Sequence, residues 1–300
     1  MAITTSQMAD ALDANLKELF QDGVQPELNQ YSKIFNIMSS NKQSEKTSYE
    51  SGFSAMPEKA EGSPATFQAV LPGISETFTH KTYALGYEIT EEAIEDNLQT
   101  ASTFNKLPTA LARSASETIE ITAANVVNNG FSNTGYDGVS LFNESHPMLD
   151  GATQANRPTT DVDLSVTSLT AGLTTIQDYE DERGLKNPTI GSVLAVPTAS
   201  WNVADELLRS EYKPFTANNE VNAIQEKNLQ YMVWNYLTDA DSWFLFSNKE
   251  GHRLLFFWRI RLGALKRGTD FDTTNLKHLA RMRFSAGYDA WKGTYGTSGG

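Results

Sequence analysis

The stretch Asp137-Gly138-Val139-Ser140-Leu141-Phe142-Asn143-Glu144-Ser145-His146-Pro147 decides how the rest of this chain is read. Its Asp-Gly and His-Pro pairs have local backbone uses, because Asp and Gly serve turn conformations and proline restricts the residue before it. Asp137, Glu144 and His146 also bring carboxylates near an imidazole, a common acid–base pairing that would suit a hydrolase. The whole segment 130–163 is dense in turn formers, which favours the backbone uses over the catalytic one.

Upstream of this stretch, Leu107, Leu111, Ala115, Ile119, Thr122 and Val126 step by three or four, and Gly130 follows. The spacing predicts a long helix over 107–129 with Pro108 in its first turn or kinking it. Ala, Ser and Thr dominate its other positions, so its apolar stripe is narrow and suits a helix lying on a sheet. Before it, Thr90 reads as the cap of a short acidic helix to Leu98, with Glu91 and Glu92 in the first turn, where the helix dipole favours them. Residues 39–84 are rich in Ser, Glu, Lys, Gly and Pro and poor in aliphatics. Strand-like flanks, Tyr49–Phe53 and the alternating Tyr83, Leu85, Tyr87, Ile89, predict a long hairpin with a polar tip around Pro57–Pro64. At the start, Met8, Leu12, Leu16 and Leu19 form a thin helical stripe between Ser6 and Gly23, suited to an arm that docks on something else.

Downstream, Val166, Leu169, Leu173 and Ile176 predict an amphipathic helix closed by Gly184. A strand, Ser192–Val196, lies between Pro188 and Pro197, and a helix carrying Ala204, Leu207 and Leu208 comes next. That order fits an α+β domain. The last third reads as strands at Tyr231–Leu237, Trp243–Phe246 and Leu254–Leu262. Arg259 and Arg261, then Arg281 and Arg283, alternate with apolar residues, so each strand should present arginines on one face. The composition of Gly293–Gly300 predicts no order of its own.

The net charge of −13 is uneven. Residues 251–300 hold nine Lys or Arg against three Asp or Glu, and the first 250 hold 15 against 34. So acidic a body argues against sequence-specific DNA binding, which needs Lys and Arg to neutralise phosphates. For the four arginines it favours pairing with carboxylates across a subunit interface over phosphate. The acidic cluster Glu88, Glu91, Glu92, Glu95, Asp96 suits a solvated helix face or a contact with such arginines better than a cation. There is no cysteine, which excludes disulfides, thiolate metal sites and cysteine nucleophiles. No phosphate-binding loop, dinucleotide fingerprint, His-Glu-x-x-His or nucleophile elbow is present, and no two of His80, His146, His252 and His278 stand three or four residues apart. No cofactor, metal or enzymatic activity is expected. No apolar run spans a membrane and no secretory signal opens the chain, so it reads as made and used in a cytoplasm.

The quoted stretch resembles the DG-x-x-LF-x-x-x-HP segment of the Mu-like major head subunits, capsid proteins of tailed bacteriophages with the HK97-like fold. Gly86–Asp96, Gly184-Leu185, Val193–Pro197, Ala204–Ser210 and Leu237–Leu245 are similar to that family in order and spacing, from about residue 45 onward. The resemblance implies an α+β HK97-like fold with an N-arm (1–38) and an extended β-hairpin loop (39–85) lying over an adjacent subunit. A peripheral domain (86–131 and 252–287) would carry the long spine helix and a sheet. An axial domain (132–251 and 288–300) would meet its copies at five- and six-fold centres. It also implies hexamers and pentamers closing into an icosahedral shell around double-stranded DNA, with a separate scaffolding protein, a portal and a decoration protein as partners. A cellular nanocompartment shell of the same fold is the nearest alternative. Candidate contacts between subunits are Tyr49, Phe53, Lys59, Glu61, Glu91, Glu92, Glu95, Arg259, Arg261, Arg281 and Arg283. Some shells of this fold join a loop lysine to an asparagine of a neighbour, for which Lys59 and Asn275 are the candidates here.

Overall fold

The computed structural model of the chain describes residues 16–24, 29–48, 52–70, 73–90, 92, 106–149, 151–187, 189–214, 220–227 and 229–300. Residues 16–23 are helical and a single turn, Tyr31–Ile34 (α1), follows. Strands Asn36–Ser39 (β1), Ser44–Ser48 (β2), Ser75–Thr79 (β3) and Lys81–Ile89 (β4) come next. The predicted long helix is Lys106–Asn128 (α2), with Pro108 in its first turn, where its missing N–H has no intrahelical partner to lose. Its buried face is wider than the sequence stripe: Leu111, Ala112, Ala115, Ser116, Ile119, Glu120, Ala123, Ala124 and Val127 are all covered, whereas Thr122 and Val126 are half-buried.

Helix α2 lies on a five-stranded sheet ordered β1-β10-β12-β11, with β4 on the other side of β12. Here β10 is Leu254–Ile260, β11 is Lys266–Thr269 and β12 is Leu276–Tyr288. Alternation along β12 buries His278, Ala280, Met282 and Phe284 and turns Lys277, Leu279, Arg281 and Arg283 outward. Tyr83 stacks on Phe284, which in turn stacks on Phe256 with ring centres 4.9 Å apart. The N-terminal helical residues rest on this unit of the same chain, where Phe20 packs with Leu111, Ala112, Leu265 and Ala280. The boundaries drawn from sequence at 38/39 and 85/86 fall inside sheet strands: β1 pairs in parallel with β10, and β4 runs beside β12 from Lys81 to Ile89.

A second sheet, ordered β13-β9-β7-β8, combines Thr294–Thr297 (β13), Trp243–Ser247 (β9), Gly191–Val196 (β7) and Gln230–Val233 (β8). Helices Val166–Gln177 (α3) and Trp201–Arg209 (α4) pack against it. Ser165 caps α3 in a reciprocal arrangement with Ser168, and α3 ends at Asp178, short of Gly184. The predicted strand over Tyr231–Leu237 stops at Val233, because Asn235 and Tyr236 turn. The tail is a correction in the other direction. Thr294–Thr297 is a fully buried strand on the edge of β9, so a Gly- and Thr-rich segment acquires order from its partner.

The chain passes between the sheets three times, and the last two passages, from β9 to β10 and from β12 to β13, run side by side. At this crossing Arg253 clasps Asp289 through two bonds, Nε to Oδ1 at 2.7 Å and a second from the guanidinium to Oδ2. Gly293 has φ +80°, and a Cβ there would meet the Gly251 carbonyl oxygen at 2.3 Å, so only glycine fits.

Candidate functional site

The stretch that opened the sequence reading is a buried knot. Gly138 takes φ +85° in a turn whose Val139 N–H is held by Asp137 Oδ1, and Leu141 and Phe142 enter the core. Strand residues His146–Pro147 (β5) pair with Thr153–Gln154 (β6). His146 Nδ1 lies 2.6 Å from Asp137 Oδ2, and Nε2 lies 3.0 Å from Asn156 Oδ1. The Asn156 oxygen also accepts the Asn143 N–H while its Nδ2 donates to the Leu141 carbonyl, which fixes the amide's orientation. Nε2 therefore donates to that oxygen, and Nδ1 shares a hydrogen bond with the Asp137 carboxyl. The ring stacks on Trp291 at 4.4 Å. Asp137 and His146 are thus brought together, but out of solvent, and Glu144 is exposed and takes no part. No attacking water or substrate has access to this imidazole, so the acid–base reading fails here on geometry.

Two further buried polar joints hold the body. Glu120 on α2 accepts the Tyr31 N–H at 3.1 Å and the Trp234 indole N–H at 3.2 Å, and burial pushes its carboxyl up to about 7 against the pull of those bonds. Lys292 meets Glu182 at 2.9 Å beside the Trp291 ring. Among the described residues no group of three or more His, Cys, Asp or Glu side chains is placed to hold a metal ion, and no helix is long and apolar enough to cross a membrane.

What the structure leaves open lies elsewhere. Strands β2 and β3 form a two-stranded ladder that carries residues 52–70 as an extended arm, with its reversal at Ala60–Ser63, inside the tip predicted at Pro57–Pro64. Ser54 and Gln68 bridge its two legs, and Arg183 donates to the Ala69 carbonyl at its base. Beyond that base Met56 is 98% exposed, Phe67 93% and Phe53 57%. Large apolar side chains held in water on a narrow arm mark a surface made for a partner. Lys59 and Glu61 are exposed at the same tip. Phe271, in the turn between β11 and β12, is 97% exposed and forms a second such point.

The outward face of the five-stranded sheet carries the arginines. Arg281 and Arg283 alternate along β12 opposite the small residues Ala84 and Thr82 of β4, which leave the guanidiniums uncovered. Arg259 sits at a bulge in β10 and, with Arg283, acts electrostatically on His80. Arg261 follows the strand's end and influences Tyr31 instead, so the bulge separates two arginines that the sequence placed on one face. Among the described residues Arg259, Arg261 and Arg281 have no ion-pair partner, and Arg283 donates to the His80 carbonyl at 3.3 Å. Glu92 is exposed, and Tyr49, Glu91 and Glu95 lie outside the described residues. Asn275 is bonded to Glu88 of its own chain. The sequence reading missed Met56 and Phe67, although lone large apolar residues in an otherwise polar loop were a legible signal. It also missed His80, whose partners are far away in sequence.

Residues 74–296 match the family described as phage capsid protein. No curated protein matches the chain. Among solved structures the chain is similar to the capsid of an empty GTA particle, at 10% identity and a TM-score of 0.58 over 91% of this chain and 90% of that one. It is similar to the procapsid of bacteriophage JBD30 at 14% identity and a TM-score of 0.54, over 98% of this chain and 76% of that one. It is similar also to a virus-like particle from Pyrococcus furiosus, at 10% identity and a TM-score of 0.53, over 95% and 98% of the two chains. Identities this low speak to the fold, and the fold is the HK97-like one. The family match covers well over half of the sequence: the chain belongs to the phage capsid protein family and is a major capsid protein.

Proposed function

We propose that copies of this chain assemble into hexamers and pentamers that close an icosahedral shell around double-stranded DNA, without sequence-specific contacts. The observation that carries this reading is the arm: residues 55–70 are exposed throughout, with Met56 and Phe67 almost wholly in water, in a chain of a capsid family. The extended loop (39–85) reaches an adjacent copy, the N-arm is 1–38, the peripheral domain 86–131 and 252–287, and the axial domain 132–251 and 288–300. Tyr49, Phe53, Lys59 and Glu61 meet the neighbour from the loop, and Arg259, Arg261, Arg281 and Arg283 take carboxylates, Glu91, Glu92 and Glu95 among their candidates. Each contact is modest, and the shell's stability comes from repeating it around closed rings. A scaffolding protein and a portal complete assembly in the cytoplasm of a bacterial host. The JBD30 capsid is decorated with minor capsid protein trimers, and a comparable accessory protein fits here. Within the family, the Mu-like major head subunits are the branch we favour.

The likeness to a virus-like particle from Pyrococcus furiosus leaves room for a second reading, in which this chain forms a nanocompartment shell that holds protein cargo in place of a genome. Expression of the chain, alone and with its neighbouring genes, followed by sedimentation and negative-stain imaging, tests both. Rings, tubes or shells are expected from the full chain, and a folded but dispersed protein once residues 55–67 are deleted. A full chain that stays monomeric beside its scaffold would overturn the reading, and shells filled with protein would favour the second.

A further inference from the structure

The arm leaves the body through a neck only two segments wide, and one ring fastens both of them. Ser40 follows β1 on the outgoing leg, and His80 stands between β3 and β4 on the returning leg. His80 is buried, with Nδ1 2.9 Å from Ser285 Oγ on β12 and Nε2 3.0 Å from Ser40 Oγ. Ser40 Oγ donates to Glu45 Oε1 at 2.7 Å and accepts the Lys42 N–H at 3.1 Å. A hydroxyl has one hydrogen to give. Because Ser40 gives its hydrogen to Glu45, it must accept from His80 Nε2–H. In a neutral ring Nδ1 is then the free lone pair and accepts from Ser285. With the ring neutral and its proton on Nε2, the line runs one way, from Ser285 through the ring and Ser40 to the Glu45 carboxylate.

The backbone converges on the same point. Ser40 N–H donates to the Trp258 carbonyl, His80 N–H to the Gln43 carbonyl, and Arg283 Nε to the His80 carbonyl. Phe257 presents to the ring from β10. The charged groups facing the ring are Arg283 on β12, Arg259 on β10 and Glu45 on β2, with Lys42 beside Glu45. Burial first, then Arg283 and Arg259, hold the imidazole below its ordinary value, and Glu45 opposes them. A second proton at Nδ1 would force the Ser285 hydroxyl to turn from donating to accepting, and would set a third positive charge beside two arginines.

We propose that His80 is a proton-operated clasp on the neck of the arm: with a neutral ring both legs are fastened to the long sheet, and with a charged ring they part from it and the arm swings. Its consequence for how the arm meets a neighbouring copy rests on the assembly reading above. The clasp itself does not.

The absence of cysteine makes a clean test possible. Ala60→Cys at the arm tip and Asn125→Cys on the exposed side of α2 accept a pair of spin labels. The distance distribution is read by pulsed dipolar spectroscopy on dilute chain mixed with unlabelled protein, at about pH 7.5 and about pH 5. A narrow distribution near neutrality that broadens in acid is expected for the parent. His80→Ala should be broad at both values, with the pH dependence gone. Ser285→Ala removes the bond that favours the neutral ring and should move the opening toward neutral pH, which keeps the idea testable if His80→Ala does not fold. A parent distribution unchanged by pH, or a pH dependence that survives in His80→Ala, overturns the clasp. The distance is read on dispersed chain, so a protein that opens in acid but never forms rings would break the assembly reading and leave the clasp standing.

Discussion

All five residues of β9 are buried, whereas every residue from Ala55 to Val70 in the arm is exposed. Strand β9 has no polar face because both of its faces are covered, by α3 on one side and by Phe131 and Phe142 on the other. The arm has a shape without a core. Its Ser54–Gln68 bridge and its contact at Arg183 are polar, and beyond the ladder, whose Phe78 packs on Leu255 and Phe257, Met56 and Phe67 touch nothing that would hold them. One region is complete within a single chain and the other is completed by another copy. Stability and assembly are therefore written in different residues and separable by mutation.

The sharpest way to break that division is a pair of aromatic truncations. Phe244→Ala removes a ring packed between Phe131, Phe142 and Phe246, and should cost about 4 kcal/mol in denaturant unfolding. Phe67→Ala removes a ring of similar size from water and should change folding stability by no more than about 0.5 kcal/mol. The assembled fraction should fall in Phe67→Ala without any loss of folded protein. A Phe67→Ala variant that unfolds with the ease of Phe244→Ala would mean that the arm belongs to the body after all.

The next test separates the buried knot from chemistry. His146→Ala strips Asp137 and Asn156 of a buried partner and removes the stack on Trp291, so a loss of about 3 kcal/mol is expected. Assembly should suffer only in proportion to the unfolded fraction. A variant that keeps its stability but loses a hydrolytic turnover present in the parent would restore the enzyme reading.

Much of this division was legible in the sequence, and what was not has physical causes. The ends of α2 were read within a residue, because a strict step of three or four and a terminal glycine are local signals. Its buried face was read too narrowly. Ala112, Ala124 and Ser116 carry almost no periodic signal, and Glu120 is buried by Tyr31 and Trp234, 89 and 114 residues away. The polar arm was visible as a loop without core residues. Its neck was not, since Ser40, His80 and Ser285 are single polar residues that acquire meaning only when three strands meet. The tail misled for the same reason: Gly293–Gly300 has no propensity of its own, and its order is borrowed from the edge of β9.

The smallest effect, and the finest probe of the body, is its response to pH through two buried groups of opposite sense. Burial raises Glu120 to about 7, so the fold prefers its protonated form. That contribution is fully present below the unfolded carboxyl value and is lost as pH rises through about 7. His252 is buried at the crossing between the sheets, where its Nδ1 accepts the Leu254 N–H, and burial with Lys249 lowers it to about 4. The fold prefers the neutral ring, so this contribution is complete above the unfolded histidine value and is lost as pH falls toward about 4. Between about pH 4.5 and 6.5 the two slopes oppose each other. On these two groups alone the parent's unfolding free energy should change little across that window, with His80, also held below its ordinary value, adding a climb of its own. Glu120→Gln removes the falling slope and should leave a stability that climbs with pH, by on the order of 2 kcal/mol across the window. His252→Gln should leave the opposite tilt. Denaturant titrations at three pH values measure all three chains, and variants that tilt in the same direction would show that the two joints do not titrate as their burial requires.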